Sequence, residues 1–236
     1  MPLTTTEFME DMERRYRAAT GLADRSQYKI FYGSIRPAPI LALGINPGGD
    51  PANMLPNGVD HKDGIGVGAA SASFYESGEN DLLDCSWREN NVLKLLVPLV
   101  GGERESVRTR VVKTNIAFRR SSKVTKIDIE KAKEESTPFL SEIIEVVNPK
   151  LILLTGVKLD DFCARHCRVS GPIGECVRDE GVKQVVFAAA NMTLRPSSRV
   201  ALVVQVAHAS QFSWTYERYG VVDRIRALQT LQGKPA

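Results

Sequence analysis

A series of short apolar segments, separated by stretches with helical periodicity, limits this chain to few folds. Short runs rich in Val, Ile and Leu are typical of strands buried on both faces of a sheet. Strands that alternate with helices predict an α/β fold with a largely parallel sheet. The predicted strands are Ile40–Leu43, Val111–Asn115, Leu151–Leu154, Val185–Phe187 and Val200–Val206.

Helical segments precede, separate and follow these strands. Thr4 and Glu7 have the spacing of a capping box, and Phe8, Met12 and Tyr16 share one face of the helix that follows. Neither a repeat nor a linker divides the chain, so we expect one domain over residues 1–236, with its core at about 40–231. The predicted helices are 4–20, 87–100, 127–147 with a disturbance at Pro138, a helix ending at Cys167, and 216–231.

The predicted architecture is a three-layer αβα sandwich around a central, mostly parallel sheet of four to five strands. Of the 236 residues, 43% are hydrophobic and 25% are charged, as in ordinary globular domains. The net charge of +3 excludes histone-like basicity and an acidic disordered tail.

Membrane and secretory classes are also excluded by the sequence. No apolar run reaches the roughly 18 to 20 residues of a membrane span, and the N-terminus lacks the pattern of a signal peptide. Four cysteines are too few for a disulfide scaffold, which favours a reducing compartment. We therefore expect a cytoplasmic protein without a membrane partner, and we expect it to be a monomer.

Polar residues follow three of the predicted strands directly. The segment Gly44–Pro51 holds five Gly or Pro in eight positions, Asn115 ends the second strand, and His208 and Ser210 follow the last one. Ligands of open α/β sheets bind outside the carboxyl ends of the strands. These positions therefore predict a ligand site at that edge of the sheet.

Four segments carry a resemblance to the uracil-DNA glycosylase superfamily. Leu43–Gly48 (Leu-Gly-Ile-Asn-Pro-Gly) resembles its first motif, most closely that of the mismatch-specific and single-strand-selective branches. His208–Ser213 is similar to its second motif, and Val112–Asn115 resembles a strand that ends in a base-reading Asn. Asn148–Gly156 is similar to a Pro-Lys-Leu-Ile strand with a small-residue turn, and the whole resemblance spans roughly Ile40–Trp214.

The resemblance implies a DNA repair enzyme that flips a damaged base out of the helix and hydrolyses its N-glycosidic bond. Asn46 would hold a water beneath the sugar C1′, and His208 would donate a hydrogen bond to the pyrimidine O2, where charge develops. Asn115 offers one donor and one acceptor, which match O4 and N3–H of uracil. We expect the substrate to be DNA containing uracil or a related deaminated base, handled in base excision repair without a cofactor.

Further contacts to the base are expected from the first loop and from Ser210. An aromatic side chain stacks on the flipped pyrimidine in this family, and Phe74 is the candidate, with Tyr75 as the alternative. Loop residues with small side chains let backbone N–H groups approach closely. The predicted lining of the first loop is Gly44, Ile45, Pro47 and Gly48.

Phosphate contacts are expected from small, donor-rich loops and from one basic segment. The segment Arg108–Lys126 holds seven basic residues and no acidic one, and it flanks the base-reading Asn. Within it, Arg119 and Arg120 are the best candidates for contacts to DNA phosphates. Gly49 and Ser213 would add a backbone N–H and a hydroxyl.

The sequence gives little support to a metal site. Cys163, Cys167 and Cys176 with His166 invite that interpretation, but a spacing of four places the first two on one helix face, which is more typical of packing. The iron–sulfur branches of the superfamily need cysteines near the N-terminus, and none precedes Cys85 here. We therefore expect no metal.

Two alternatives remain open at this stage. Ala209 stands where the family has Pro, and Gln211 follows Ser210, so the loop that wedges the duplex is expected to differ in shape. One alternative is a catalytically silent member of the fold that binds nucleic acid or a nucleotide. The other is an unrelated α/β hydrolase that acts on free nucleosides.

Overall fold

The structure is a computed structural model that describes residues 4–47, 51–53, 87–121, 123, 127–168, 174–181 and 183–232. Within these ranges seven strands form one sheet, in the order β2-β1-β3-β7-β6-β4 with β5 paired to β6. The strands are β1 Ile40–Gly44, β2 Val111–Asn115, β3 Leu151–Thr155, β4 Cys167–Arg168, β5 Glu175–Asp179, β6 Gln184–Leu194 and β7 Val200–Val206.

The predicted α/β class and the parallel core of the sheet are confirmed. The neighbours β2, β1, β3 and β7 are all parallel, whereas β4, β5 and β6 join by antiparallel pairing. The predicted count of four to five strands is wrong. Strand β5 escaped prediction because its residues alternate between half-buried and exposed positions instead of forming an apolar run.

The helices occupy the predicted positions with two differences, of which one is that the short helices Ser106–Arg110 and Ala209–Phe212 were not predicted. The predicted last helix is divided, since the chain breaks helical geometry at Tyr219 and Gly220, where φ of the glycine is +57°. None of the helices in the described part of the chain combines the length and apolarity needed to cross a bilayer. The helices are α1 Thr5–Thr20, α2 Trp87–Leu99, α3 Ser106–Arg110, α4 Ile129–Val147, α5 Leu159–His166, α6 Ala209–Phe212, α7 Trp214–Arg218 and α8 Val221–Gln232.

Local sequence signals explain where two of these helices begin. Thr4 and Glu7 form the predicted capping box, in which each side chain accepts from the other residue's backbone N–H. Asp128 caps α4 by accepting from the Lys131 N–H at 3.0 Å. Helix α4 continues through Pro138, which lies on its exposed face, where water can replace the missing donor.

Alternate residues of each parallel strand enter one of two apolar clusters, because successive side chains point to opposite faces of a sheet. Leu41 and Leu43 join one cluster with residues of α1, α4 and α5, and Ile40 and Ala42 join the other with residues of α2 and α8. Tyr16 of α1 is fully buried in the first cluster. Packing on both faces holds the four parallel strands in place, and so fixes where their ends lie.

Of the residues that invited a metal interpretation, Cys176 is exposed, and the other three are packed into the core. Cys163 and Cys167 are buried, and His166, at the end of α5, is fully buried. The imidazole Nδ1 lies 3.2 Å from the Ser141 hydroxyl, and its ring centroid lies 5.0 Å from that of Phe162. Burial lowers the pKa of His166 to about 4, so the ring is neutral at pH 7.

We expect this histidine to destabilise the fold in acid. The pKa of His166 is about 4 when folded and 6.5 when solvated, so unfolding takes up a proton between these two pH values. The free energy of unfolding should therefore fall by about 3 kcal/mol as the pH drops through this window. Urea denaturation of the wild type and of His166→Gln at pH 7.5 and pH 4 measures the difference. An equal loss in both proteins would contradict the assignment.

Candidate functional site

The carboxyl ends of the four parallel strands lie side by side. Asn115 ends β2, Gly44 ends β1, Thr155 ends β3 and Val206 ends β7. Gly44 is the register partner of Asn115, and Thr155 is the partner of Val206. All three polar segments predicted from the sequence therefore start from the same edge of the sheet.

The loop after β1 is held by the segment after β2. Ile45 and Pro47 accept hydrogen bonds through their carbonyls, from Ala117 N at 2.9 Å and from Ser121 N at 3.1 Å. The Nδ2 of Asn46 donates to the Pro47 carbonyl at 3.0 Å and lies 3.5 Å from the Ser121 carbonyl. Among the described residues no donor reaches Oδ1 of Asn46, so this oxygen can accept from a ligand or a water.

Asn115 is buried and held on two sides. Its Nδ2 donates to the hydroxyl of Tyr32 at 2.9 Å, and its Oδ1 lies against the backbone of Gly44. A Cβ at position 44 would approach that oxygen to 2.5 Å, so only glycine leaves room for the amide there. The Tyr32 ring is itself contacted by Lys29 and Lys113, each with Nζ 4.1 Å from the ring centroid.

His208 is half-buried and rests on the turn that follows β3. Gly156 in that turn has φ +74°, and a Cβ there would lie 2.6 Å from Cδ2 of His208. The Gly156 N–H donates to the Val206 carbonyl at 3.0 Å, which joins the ends of β3 and β7. The carbonyl of the preceding Ala207 accepts from the hydroxyl of Tyr216 at 2.9 Å. These contacts fix both the backbone and the ring of His208.

A cavity of about 760 Å³ opens beside His208. Its lining includes the apolar residues Ile45 and Phe212, together with Gly156, and the cationic residues Lys158, Arg178 and Lys183. Such a volume is typical of small-ligand sites. The structure thus brings residues of the first loop, the third strand end and the last strand end to one cavity.

The two predicted asparagines lie at the same edge but not in that lining. Among the described residues, neither Asn46 nor Asn115 lines the 760 Å³ cavity or the adjoining 330 Å³ cavity. Ile45 lines both cavities and lies between Gly44 and Asn46 in the chain. The first loop therefore connects the strand ends that carry Asn46 and Asn115 to the cavity that His208 lines.

The arginines predicted to bind phosphate are engaged within the protein. Arg119 donates from Nε and a terminal nitrogen to Glu135 at 2.6 and 2.8 Å, and this hydrogen-bonded pair raises the pKa of the guanidinium. Arg120 is buried and donates to the carbonyls of Arg25 and Tyr28 at 3.0 and 3.3 Å. Both side chains anchor the segment after β2, and their role at DNA phosphates stays a prediction.

The remaining predicted residues fall elsewhere or outside the described ranges. Ser213 lines a different groove, of about 990 Å³, together with Trp214 and Tyr216. Predictions that lie outside the described residues concern Gly48, Gly49, Phe74, Tyr75 and the side chain of Ser210.

Several residues of the site were not predicted from the sequence. Tyr32 lies in a segment with no period, and no local signal marks it as a partner of Asn115. Lys158 follows the end of β3 by three positions, so the rule that placed ligands at strand ends could have found it.

No known family model matches the chain, and no curated protein is significantly similar to it.

Proposed function

We propose that this protein is a monofunctional DNA glycosylase of the uracil-DNA glycosylase superfamily, acting as a monomer on uracil or a related deaminated base. One observation carries the proposal: four adjacent parallel strands end, at one edge, in the four segments that resemble the family's motifs. The proposed architecture is the three-layer αβα sandwich of that superfamily. Helices that contribute to the apolar clusters on both faces of the sheet support it.

The reaction needs a donor near the leaving base. Water attacks C1′ of the sugar and forms the new C–O bond, while the pair of electrons in the C1′–N bond leaves with the base. The water releases one proton to solvent, and the departing pyrimidine carries its negative charge largely on O2. A donor at O2 stabilises the transition state more than the ground state, which is what accelerates the step.

His208 is the proposed donor to that oxygen. It lines a cavity large enough for a base, and its position is fixed by Gly156 and by the anchored Ala207 carbonyl. A donor held in place before the reaction needs no reorganisation as charge develops. The half-buried ring is also partly shielded from water, which strengthens its interaction with the anion.

Asn46 is the proposed holder of the attacking water. Its Nδ2 is bonded to the Pro47 carbonyl, which leaves Oδ1 to accept from the water. An amide oxygen is a far weaker base than a carboxylate, so it orients the water without removing its proton. We therefore expect modest turnover.

Asn115 is the proposed reader of the base. One hydrogen of its Nδ2 is directed to Tyr32, and the second hydrogen together with Oδ1 makes one donor and one acceptor. Uracil presents the matching acceptor O4 and donor N3–H. Cytosine presents the opposite pair, so the same amide would reject it.

Replacing Asn46 with alanine tests this proposal. A labelled single-stranded oligonucleotide with one uracil is incubated with excess enzyme, and the abasic product is cleaved with alkali and quantified. We expect wild-type release to fall by about 10²-fold in Asn46→Ala, since the water loses its orienting acceptor. Asn191→Ala, an exposed asparagine on β6, is the matched control and should behave as wild type. Equal rates in all three proteins would contradict the assigned role.

A further inference from the structure

Three cationic side chains line the same cavity as His208. Lys158 precedes the first turn of α5, Arg178 lies on β5, and Lys183 lies in the turn between β5 and β6. We call these three residues the cationic wall. Asp160 is the one carboxylate among the described residues that line the cavity, so positive charge prevails there.

The charge of the cationic wall is not balanced locally. Lys158, Arg178 and Lys183 are exposed, and within the described part of the chain none of them forms an ion pair. Exposed cations without a carboxylate partner are available to attract an anionic ligand, most strongly at low salt.

The adjoining 330 Å³ cavity shows the opposite arrangement. Lys133, which lines it, pairs with Glu130 at 2.8 Å and with Asp161 at 2.5 Å. Arg165 closes the same network, at 2.7 Å from Glu130 and 3.1 Å from Asp161. Lys158 lines both cavities, whereas Arg178 and Lys183 line only the larger one, so net positive charge is concentrated at the cavity that His208 lines.

Sheet topology explains how these cations reach the strand-end edge. Phe187 of β6 is paired with Val206, the last residue of β7, and β6 runs antiparallel to β7. The start of β6 and the end of β5 therefore extend beyond β7 at the edge where His208 lies. Arg178 is paired with Val185 in this extension.

We propose that the cationic wall binds backbone phosphates of the DNA strand on either side of the flipped nucleotide, an inference that rests on the proposed glycosylase function. A base held beside His208 would leave its sugar and flanking phosphates toward solvent, and the three cations that line this cavity are exposed to solvent. Lys and Arg bind such phosphates with release of condensed counterions. A free nucleotide offers the same phosphate chemistry, so the experiment below separates the two sources.

The test uses a fluorescent single-stranded oligonucleotide without uracil, so that binding is measured apart from catalysis. The full-length variant Lys158→Gln/Arg178→Gln/Lys183→Gln is compared with the wild type by fluorescence anisotropy at several salt concentrations. Loss of three phosphate contacts should make the slope of log K against log salt shallower by about 2. Affinity at low salt should fall at least about tenfold.

A matched control removes three exposed cations at the opposite end of the strands. Lys150 and Arg199 precede β3 and β7, and Arg168 is paired with Thr193 beside the start of β7. The variant Lys150→Gln/Arg168→Gln/Arg199→Gln has the same net charge as the first triple variant and should bind like the wild type. Equal binding by both triple variants would overturn the proposal.

Two further results separate this proposal from its premise. If dUMP displaces the labelled oligonucleotide at concentrations no higher than that of the oligonucleotide, the cationic wall binds a free nucleotide. That result would overturn the proposal that it binds phosphates of the DNA backbone. Uracil release measured in parallel reports on the glycosylase itself. If the cationic-wall variant binds DNA and releases uracil normally, the phosphate-binding proposal is overturned and the glycosylase proposal stands. If DNA binding depends on the cationic wall but no base is released, the phosphate-binding proposal is supported and the glycosylase proposal is contradicted.

Discussion

Replacing His208 with alanine should slow uracil release by about 10²–10³-fold, the effect seen when one preorganised donor to a developing anion is removed. The loss should appear in the single-turnover rate with enzyme in excess, because the donor acts on the transition state and contributes little to ground-state binding. Oligonucleotide affinity, measured by anisotropy, should stay close to that of the wild type.

Two companion variants make this result specific. His208→Gln keeps a side-chain N–H donor and should recover part of the lost rate. Asn191→Ala, on the exposed side of β6, is again the control and should leave the rate near that of the wild type. A His208→Ala enzyme with full activity would show that the leaving base is stabilised elsewhere.

Replacing Gly156 with alanine should impair the same step while leaving His208 in the sequence. The backbone of Gly156 has φ +74°, a conformation that costs about 1–2 kcal/mol for a residue with a Cβ. The added Cβ would also lie 2.6 Å from Cδ2 and 3.0 Å from Cβ of His208, so the imidazole must shift. We expect lower stability and a release rate that approaches that of His208→Ala.

Gly21→Ala separates the two effects of this substitution. Gly21 has φ +71° at the end of α1, and a Cβ there meets nothing within 4 Å. Its replacement should lower the free energy of unfolding by a similar amount, measured with urea, without slowing uracil release. If Gly156→Ala were no slower than Gly21→Ala, the contact with His208 would have no role in the reaction. Adding Gly156→Ala to His208→Ala should not slow release further.

The strands that are buried on both faces of the sheet could be predicted from the sequence. Strands β1 and β3 are continuous apolar runs up to their last residue, β7 is apolar apart from Gln205, and β2 begins with two valines. Each was predicted within two residues of its observed ends. β6 has eleven residues where three were predicted, because the small and polar residues of Ala188–Thr193 interrupt the apolar signal. Those positions take their strand geometry from pairing with β5 and β7, which no local pattern encodes.

Only those residues of the candidate site that lie at strand ends could be predicted from the sequence. Parallel pairing of β1 with β2 places Gly44 beside Asn115. This proximity could be predicted, because both residues end strands of one parallel sheet. The partner of Asn115 is Tyr32, which lies 83 residues away in the chain and could not be inferred from spacing. The cationic wall depends likewise on the unpredicted pairing of β5 with β6.

Charge counted along the sequence did not reveal which basic residues are paired within the protein. The segment from Arg108 to Lys126 contains no acid, yet carboxylates from outside it lie against its arginines. Glu135 of α4 pairs with Arg119 at 2.6 Å, and Glu105 pairs with Arg108 at 2.9 Å. Local charge density therefore overstates the free positive charge of this segment, because its counter-ions come from other elements.

The most direct test of the central claim is product analysis with the wild-type protein. A single-stranded oligonucleotide with one uracil is incubated with the enzyme, and both the free base and the abasic strand are quantified by mass spectrometry. We predict one free uracil for each abasic site, and no cleavage of free deoxyuridine under the same conditions. Release from free nucleosides alone, or no release from oligonucleotides containing uracil, hypoxanthine or xanthine, would contradict the assignment as a DNA glycosylase.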